Sequence, residues 1–403
     1  MQKYQDAVRI VTASPDLAAL GGVELCTFQD SRALVENGNT VTLMYGSDGP
    51  QHTDYLAAHV TVSGRFAFDF TLSKALRNVF GFLSSGRFIR QIRAEILWLN
   101  RPEHIVWAQF ASRIAGIPIV CHLHHMPNYR RLRLMYSGVS HFIAVSRFIR
   151  QEWIEQGIEP ERISVIHNSI STTDYPFGGR TEQGEARSEL GLPPEVPIVL
   201  FYGLLSRQKG VVTLAKAWLS LGEKRGDALL LIVGQATGVV DAEFDKVISE
   251  LPKDSFRLMK HQKAVVPLLH AADVVVLPSW HAEAFGRVVL EGLATGRPVI
   301  ASNVGGVPEI LSGEMSRFLV EPEDVEGLAA KLAEILHWRD SEPGLATRCH
   351  AWVENRFPYA DHVRALENTL REHRRPSRSD YRFGWFATVR SCRSSPNRST
   401  GVH

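Results

Sequence analysis

The chain has 403 residues, enough for two domains of ordinary size, with the 44% hydrophobic and 22% charged content of a folded globular protein. A formal net charge of +2 excludes a nucleic-acid binder held by bulk charge, and no apolar run approaches the roughly 18 residues of a membrane-spanning helix. Cys26, Cys121, Cys349 and Cys392 are scattered without a C-x-x-C, and MQKYQDAVRIV lacks the apolar core of a secretory leader, so no disulfide framework is expected and the expected compartment is a reducing cytoplasm.

A first strand is expected over Ala7–Ala13, then the loop SPDLAALGGVE, a helix from Glu24 to Glu36 ending near Gly38, and a second strand over Thr40–Tyr45. This start lacks G-x-G-x-x-G. The pair Gly21-Gly22 stands in its place, permitting either close approach of a ligand to the backbone or only a tight turn. Over residues 65–95, Phe66, Phe68, Phe70, Phe80, Phe82 and Phe88 are interleaved with Arg65, Lys74, Arg77, Arg87, Arg90 and Arg93. Two readings stand: a basic amphipathic surface for an anionic membrane, or core phenylalanines behind a solvated basic face.

Ile96–Leu99, His104–Gln109 and Ile117–Cys121 read as further strands, the last running into His122, His124 and His125. Ligands of parallel sheets bind outside the carboxyl ends of strands, which is where these histidines fall. No third ligand has metal-like spacing, so no metal site is expected. The basic patch Asn128–Arg133 either steers an anionic acceptor or is a solvated loop. A strand over His141–Val145 then leads to Ser146, the N-cap of a helix running to about Gly157.

Residues 171–197, rich in Gly, Pro, Thr and charge, mark a domain boundary with a short helix near Glu185–Leu190. Ile198–Tyr202 opens a second α/β domain. In the following loop, GLLSRQKG, the backbone near Gly203 and the charges of Arg207 and Lys209 suit a diphosphate, or else a plain basic surface. Leu229–Gly234 is a strand, and a helix surrounds Ala242–Leu251.

The stretch from Asp273 to Ile310 carries the densest signal. Asp273–Leu277 is a β-branched run ended by Pro278, and Glu283 sits in the next loop. A helix opens at Phe285-Gly286 and continues to about Thr295, where Gly296 and Pro298 stop it before the strand Val299–Ala301. Glu291 lies about five residues inside that helix, roughly 7–8 Å along the axis from its start. Between the two acids lies a helix N-terminus able to hold a phosphate. Ribose, diphosphate and hexose have this layout, although two solvated glutamates on an ordinary βαβ unit would read the same. Asp324–Leu336 is an amphipathic helix. From Arg371 onward eight arginines stand against Glu372 and Asp380, a composition that reads as a disordered tail.

E-A-F-G-x-x-x-x-E, followed by A-T-G-R-P-V-I-A and G-G-V-P-E-I, resembles the donor-binding signature of retaining glycosyltransferases of family 4, and weaker matches run from residue 8 to about 370. The resemblance implies the GT-B fold, an α/β class with two doubly wound, Rossmann-like domains facing across a cleft. It implies an acceptor domain over 1–175, a linker over 176–196 and a nucleotide-sugar domain over 197–355. A helix over 356–372 crosses back, and a basic tail covers 373–403. G-G-V-E resembles the family's N-terminal signature, so Gly21 and Gly22 face the donor. Glu283 then contacts the transferred sugar and Glu291 the ribose hydroxyls. His124 falls at the active-site histidine, although L-H-H, with His125, replaces the family's V-H-D and leaves open which of the two points into the cleft. Lys209, Gly203 and the segment Ala284, Phe285, Gly286 serve the diphosphate; either Arg207 reaches the phosphates in place of the family's arginine, or Lys209 acts with backbone donors alone. Leu204 stands where the family has an arginine, and Asn168-Ser169 where it has Asn-Gly. Ser255–Lys260 and Ala264–Ala271 resemble the strand and helix around the base-binding loop.

The implied activity moves a hexose from a nucleoside-diphosphate sugar to a glycan or lipid-linked acceptor with retention, as in polysaccharide biosynthesis. No D-x-D occurs in a suitable loop, so neither a metal nor another cofactor is expected. The expected site is the cytoplasm, with the inner face of an anionic membrane as the second reading. The rivals are a sugar-nucleotide epimerase of the same fold and a non-catalytic scaffold. A nicotinamide oxidoreductase would need the glycine fingerprint that is missing.

Overall fold

The computed structural model describes residues 7–18, 21–70, 73, 75–127, 136–236 and 242–376. The patch Asn128–Arg133 and the tail from residue 377 lie outside the described residues. The chain forms two compact units. One lies within Met1–His122, Leu134–Phe142 and Glu367–His403, the other within Leu123–Arg133 and Ile143–Leu366.

The first sheet comprises β1 (Arg9–Asp16), β2 (Thr40–Ser47), β3 (Thr61–Ser63), β4 (Ile96–Leu99), β5 (Ile119–Leu123), β6 (His141–Ala144) and β7 (Ile163–Val165). Their order is β3-β2-β1-β4-β5-β6-β7. The second comprises β8 (Ile198–Leu205), β9 (Leu229–Ala236), β10 (Phe256–Lys260), β11 (Val274–Leu277), β12 (Val299–Ser302) and β13 (Leu319–Val320), in the order β10-β9-β8-β11-β12-β13. Every pairing in the second sheet is parallel. Ile-Leu-Trp-Leu of β4 and Val-Val-Val-Leu of β11 are buried along their whole length, as central parallel strands covered on both faces must be. In each sheet the strand order reverses once, between β1 and β4 and between β8 and β11. With crossovers running outward in both directions, each right-handed by the general rule for parallel strands, helices fall on both faces, the doubly wound arrangement.

The segment His104–Gln109, expected as a strand, is helical. Pro102–His104 forms a 3-10 turn and Ile105–Ala115 an α-helix ended by Gly116 at φ 70°. The run Ile-Val-Trp has strand propensity, but Ile105, Ala108, Ala111, Ser112 and Ala115 recur at helical spacing and are buried together. That longer period overrides the local preference. The phenylalanines of residues 65–95 divide. Phe68 and Phe82 are buried, with the Phe68 ring 4.8 Å from that of Trp107, whereas Phe70 and Phe80 are 39% and 71% exposed.

The amino end of β11 is a saturated ionic knot. The Asp273 carboxylate accepts from Arg187 Nη2 at 2.7 Å, Arg339 Nε at 2.6 Å, Gln183 Nε2 at 3.0 Å and the Ile198 N–H at 2.8 Å. Beside it the wholly buried Arg297 donates to the carbonyls of Ala272, Gly178, Thr295 and His270. Burial, followed by the repulsion of Arg339, pushes the Arg297 guanidinium down to about 9.

Candidate functional site

At the carboxyl ends of β8 and β11 the second sheet reverses its order, the place where open parallel sheets bind ligands. β8 runs past the buried layer: Tyr202 is half-buried, and Gly203 and Leu204 are exposed, Leu204 by 50%. A 3-10 turn over Arg207–Lys209 follows and ends at Gly210, whose φ is 74°. A Cβ at Gly210 would collide with the Pro278 carbonyl. The loop after β8 can therefore lie against the loop after β11 only because residue 210 has no side chain.

That contact brings two predicted residues together. Lys209 Nζ donates to Glu283 Oε1 at 2.7 Å, and the hydroxyl of the buried Ser279 donates to the same oxygen at 2.6 Å. The Glu283 backbone is fixed from the other side, its carbonyl accepting the Gly306 N–H at 2.8 Å. Gly305, at φ 57°, packs so closely on Glu283 that a Cβ would collide with it. The G-G-V-P-E turn thus acts as a brace for the acid.

The next helix, Arg287–Ala294, starts from Gly286 and has no acid in its first turn, so its N-terminal amides and dipole suit an anion. Glu291 lies within it and is buried. Its Oε2 accepts from Tyr202 at 2.5 Å, and its Oε1 from Arg287 Nε at 3.2 Å and from Tyr175 at 3.3 Å. Burial, then the Glu291 charge, push both phenols above their ordinary value, so they remain donors at neutral pH.

Other predicted residues lie differently. Arg207 pairs with Glu243 at 3.1 Å and stacks 5.3 Å from the Trp280 ring. The Ala284 carbonyl accepts the Ser146 hydroxyl at 2.7 Å, and the buried Phe285 ring packs 5.5 Å from His167 and 5.8 Å from Phe357. His122 is fully buried at the end of β5, 6.3 Å from the Trp98 ring. His124 follows it, buried and in the same compact unit as Glu283. His125 is half-buried, its ring Nδ1 3.0 Å from the Met126 carbonyl and its own carbonyl accepting Trp153 Nε1 at 2.9 Å. Among the described residues no group of three or more His, Cys, Asp or Glu is arranged to hold a metal ion.

Sequence reasoning missed several polar groups at these strand ends. Besides Ser279, Tyr202, Tyr175 and Arg287, the first sheet carries Glu24 and Arg101 at its own reversal point. Gly21 caps the helix Gly22–Glu36, and Glu24 in that helix accepts from Arg101, which follows β4. Glu309 of G-G-V-P-E accepts the N–H groups of Arg147 and Phe148, each at 2.9 Å, and pairs with His167 at 2.8 Å. The G-G-V-E and P-E motifs named the acids, but nothing in the sequence named their partners.

The family described as "Glycosyltransferase Family 4" matches residues 20–174, and that described as "Glycosyl transferases group 1" matches residues 182–355. The chain is 33% identical over 217 residues to alpha-maltose-1-phosphate synthase of Mycobacterium tuberculosis, covering 51% of this chain and 55% of that protein. It thus spans about half the length of several curated relatives it matches. It is 25% identical over 337 residues to the UDP-Gal:alpha-D-GlcNAc-diphosphoundecaprenol alpha-1,3-galactosyltransferase of Escherichia coli, covering 78% of this chain and 85% of that one. The structure of Anabaena HepE with UDP and glucose superposes with a TM-score of 0.77 at 21% identity, over 90% of this chain and 99% of that one, which establishes the shared GT-B fold.

Proposed function

The chain belongs to glycosyltransferase family 4, and from that premise we propose that it moves a hexose from a nucleoside-diphosphate sugar to a glycan or lipid-linked acceptor, with retention of configuration. One observation carries the reading: Lys209 and Ser279 converge on a single oxygen of Glu283 at the reversal point of the second sheet. No described residue donates to Glu283 Oε2, which leaves it for the sugar hydroxyls.

As the bond from the anomeric carbon to the diphosphate breaks, negative charge grows on the leaving group and positive charge on the sugar ring. Lys209, Arg207, the backbone at Gly203 and the helix start at Gly286 meet the first; Glu283 meets the second, with His124 holding the sugar. Glu291 anchors the ribose. Gly21 and Gly22 belong to the same reading as backbone that approaches the donor closely. No metal takes part in it.

The E. coli relative's name specifies a diphosphoundecaprenol acceptor, and a lipid-linked acceptor suits an anionic membrane surface. Helix Ala75–Gln91 supports this: it has no acid, exposes Arg87 and Arg90, and exposes Phe80 by 71%. Among the described residues no helix is long and apolar enough to cross a membrane.

The test is a transfer assay with UDP-, GDP- and ADP-hexoses and a lipid diphosphate acceptor, with and without excess chelator. Glu283→Gln is expected to lower transfer about 10²-fold or more while leaving nucleotide binding measurable. Donor binding without transfer in the parent chain favours the scaffold reading, which the exposed Leu204 in the family's arginine position supports. Abolition of transfer by chelator overturns the metal-free part.

A further inference from the structure

A carboxylate has about four acceptor positions, two on each oxygen. At Glu291 both positions on Oε1 and one on Oε2 are used. Arg287, through Nε and Nη2 at 3.2 Å each, and Tyr175 close Oε1, and Tyr202 takes one position on Oε2. The Tyr202 contact, at 2.5 Å, is much the shortest of these, and Arg287 Nη2 also reaches the Tyr175 hydroxyl at 3.4 Å. Glu291 therefore cannot swing: each oxygen is tied by a group from a different segment, β8 on one side and the segment before helix Arg180–Glu189 on the other. One acceptor position remains, on Oε2 beside Tyr202.

We propose that Tyr202 is a positioning residue for ribose recognition, fixing the Glu291 carboxylate so that its one remaining acceptor position is presented to a ribose hydroxyl. Tyr175 and Arg287 complete the clamp by closing Oε1. The proposal rests on the reading of Glu291 as the ribose anchor. It adds that discrimination between ribose and deoxyribose is set by a phenol on β8, 89 residues before the acid it orients.

Calorimetry of the full chain with UDP, GDP and ADP identifies which is bound; the 2′-deoxy and 3′-deoxy forms of that nucleotide are then titrated. The parent chain is expected to bind one deoxy form about tenfold more weakly, the worth of one hydrogen bond to a charged group. Tyr202→Phe keeps the ring and removes only the hydroxyl. It is expected to weaken the ribonucleotide about fivefold and to shrink the deoxy penalty below about threefold, because an untethered carboxylate no longer selects the hydroxyl. A purely structural Tyr202 would weaken both nucleotides equally and keep the penalty intact, which overturns the proposal. Tyr175→Phe removes the longer phenol contact and serves as the second probe if Tyr202→Phe does not fold; it too should shrink the penalty. Glu291→Gln separates the two levels. If it leaves the penalty unchanged, or the parent chain shows none, the ribose-anchor reading itself fails. If Glu291→Gln abolishes the penalty and the phenol variants preserve it, only the positioning role fails.

Discussion

The two ends of the β8–β11 strand pair both bury carboxylates, and they treat them in opposite ways. At the amino end Asp273 has four donors spread over both oxygens, two of them arginines. Burial alone would raise its pKa, but Arg339 and Arg187 outweigh it and hold the carboxyl below its ordinary value. At the carboxyl end both donors to Glu283 fall on one oxygen, and Glu291 keeps one acceptor position. A saturated carboxylate has nothing to offer a ligand; an incompletely saturated one does. Burial therefore separates scaffold from site less well than a count of acceptor positions.

The largest expected effect tests the scaffold end. Asp273→Ala leaves the buried Arg187 and the half-buried Arg339 without their counter-charge, and breaking a buried pair costs about 3–5 kcal/mol. Urea denaturation should show that loss, and whatever folded protein remains should bind nucleotide with the parent affinity. A variant of parent stability would mean that the knot is incidental, and the contrast between the two ends would collapse.

A smaller effect tests the other end. Ser279→Ala removes one hydrogen bond to the Glu283 carboxylate, worth about 1.5–3 kcal/mol. Here the loss should appear in transfer, about tenfold in kcat, with little change in the urea midpoint. Combined with Glu283→Gln, the two losses should not add, because Ser279 acts through that acid. Additive losses would detach Ser279 from it.

The strand-loop-helix-strand order of residues 273–310 was legible because its signals are local: a valine run, a proline stop, a Gly-Pro helix end. The doubly wound class followed from the family resemblance that this stretch carries. Two kinds of fact were not legible. Local propensity misreads His104–Gln109, where a short β-branched run hides the longer helical period of Ile105–Ala115. Pairings between distant segments have no local signature either: Tyr202 meets Glu291 across 89 residues and Arg101 meets Glu24 across 77. Gly210 is an intermediate case. A glycine after a basic loop is easily seen, but its reason, the Pro278 carbonyl pressed against it, comes from tertiary structure alone.

The smallest expected effect concerns a third acid, Glu309, which sorts with neither end. It caps the helix Arg147–Glu155 through two backbone N–H groups, alongside the N-cap Ser146, and it also holds His167. Burial works to raise its pKa, but the His167 hydrogen bond and the two N–H groups prevail and the carboxyl lies below its ordinary value. A depressed pKa means that the folded state prefers the ionised form. The stability this gives is complete above the unfolded carboxylate value, about pH 4, and is lost as pH falls through the lower, folded value. Glu309→Gln should therefore be less stable than the parent by about 1 kcal/mol at pH 7, the usual worth of a helix cap. The gap should close as urea denaturation is repeated at progressively lower pH. A gap that stays constant down the acid limb would assign the cap to neutral hydrogen bonding. A gap that closes would place Glu309 with Asp273, as an acid whose charge serves the fold.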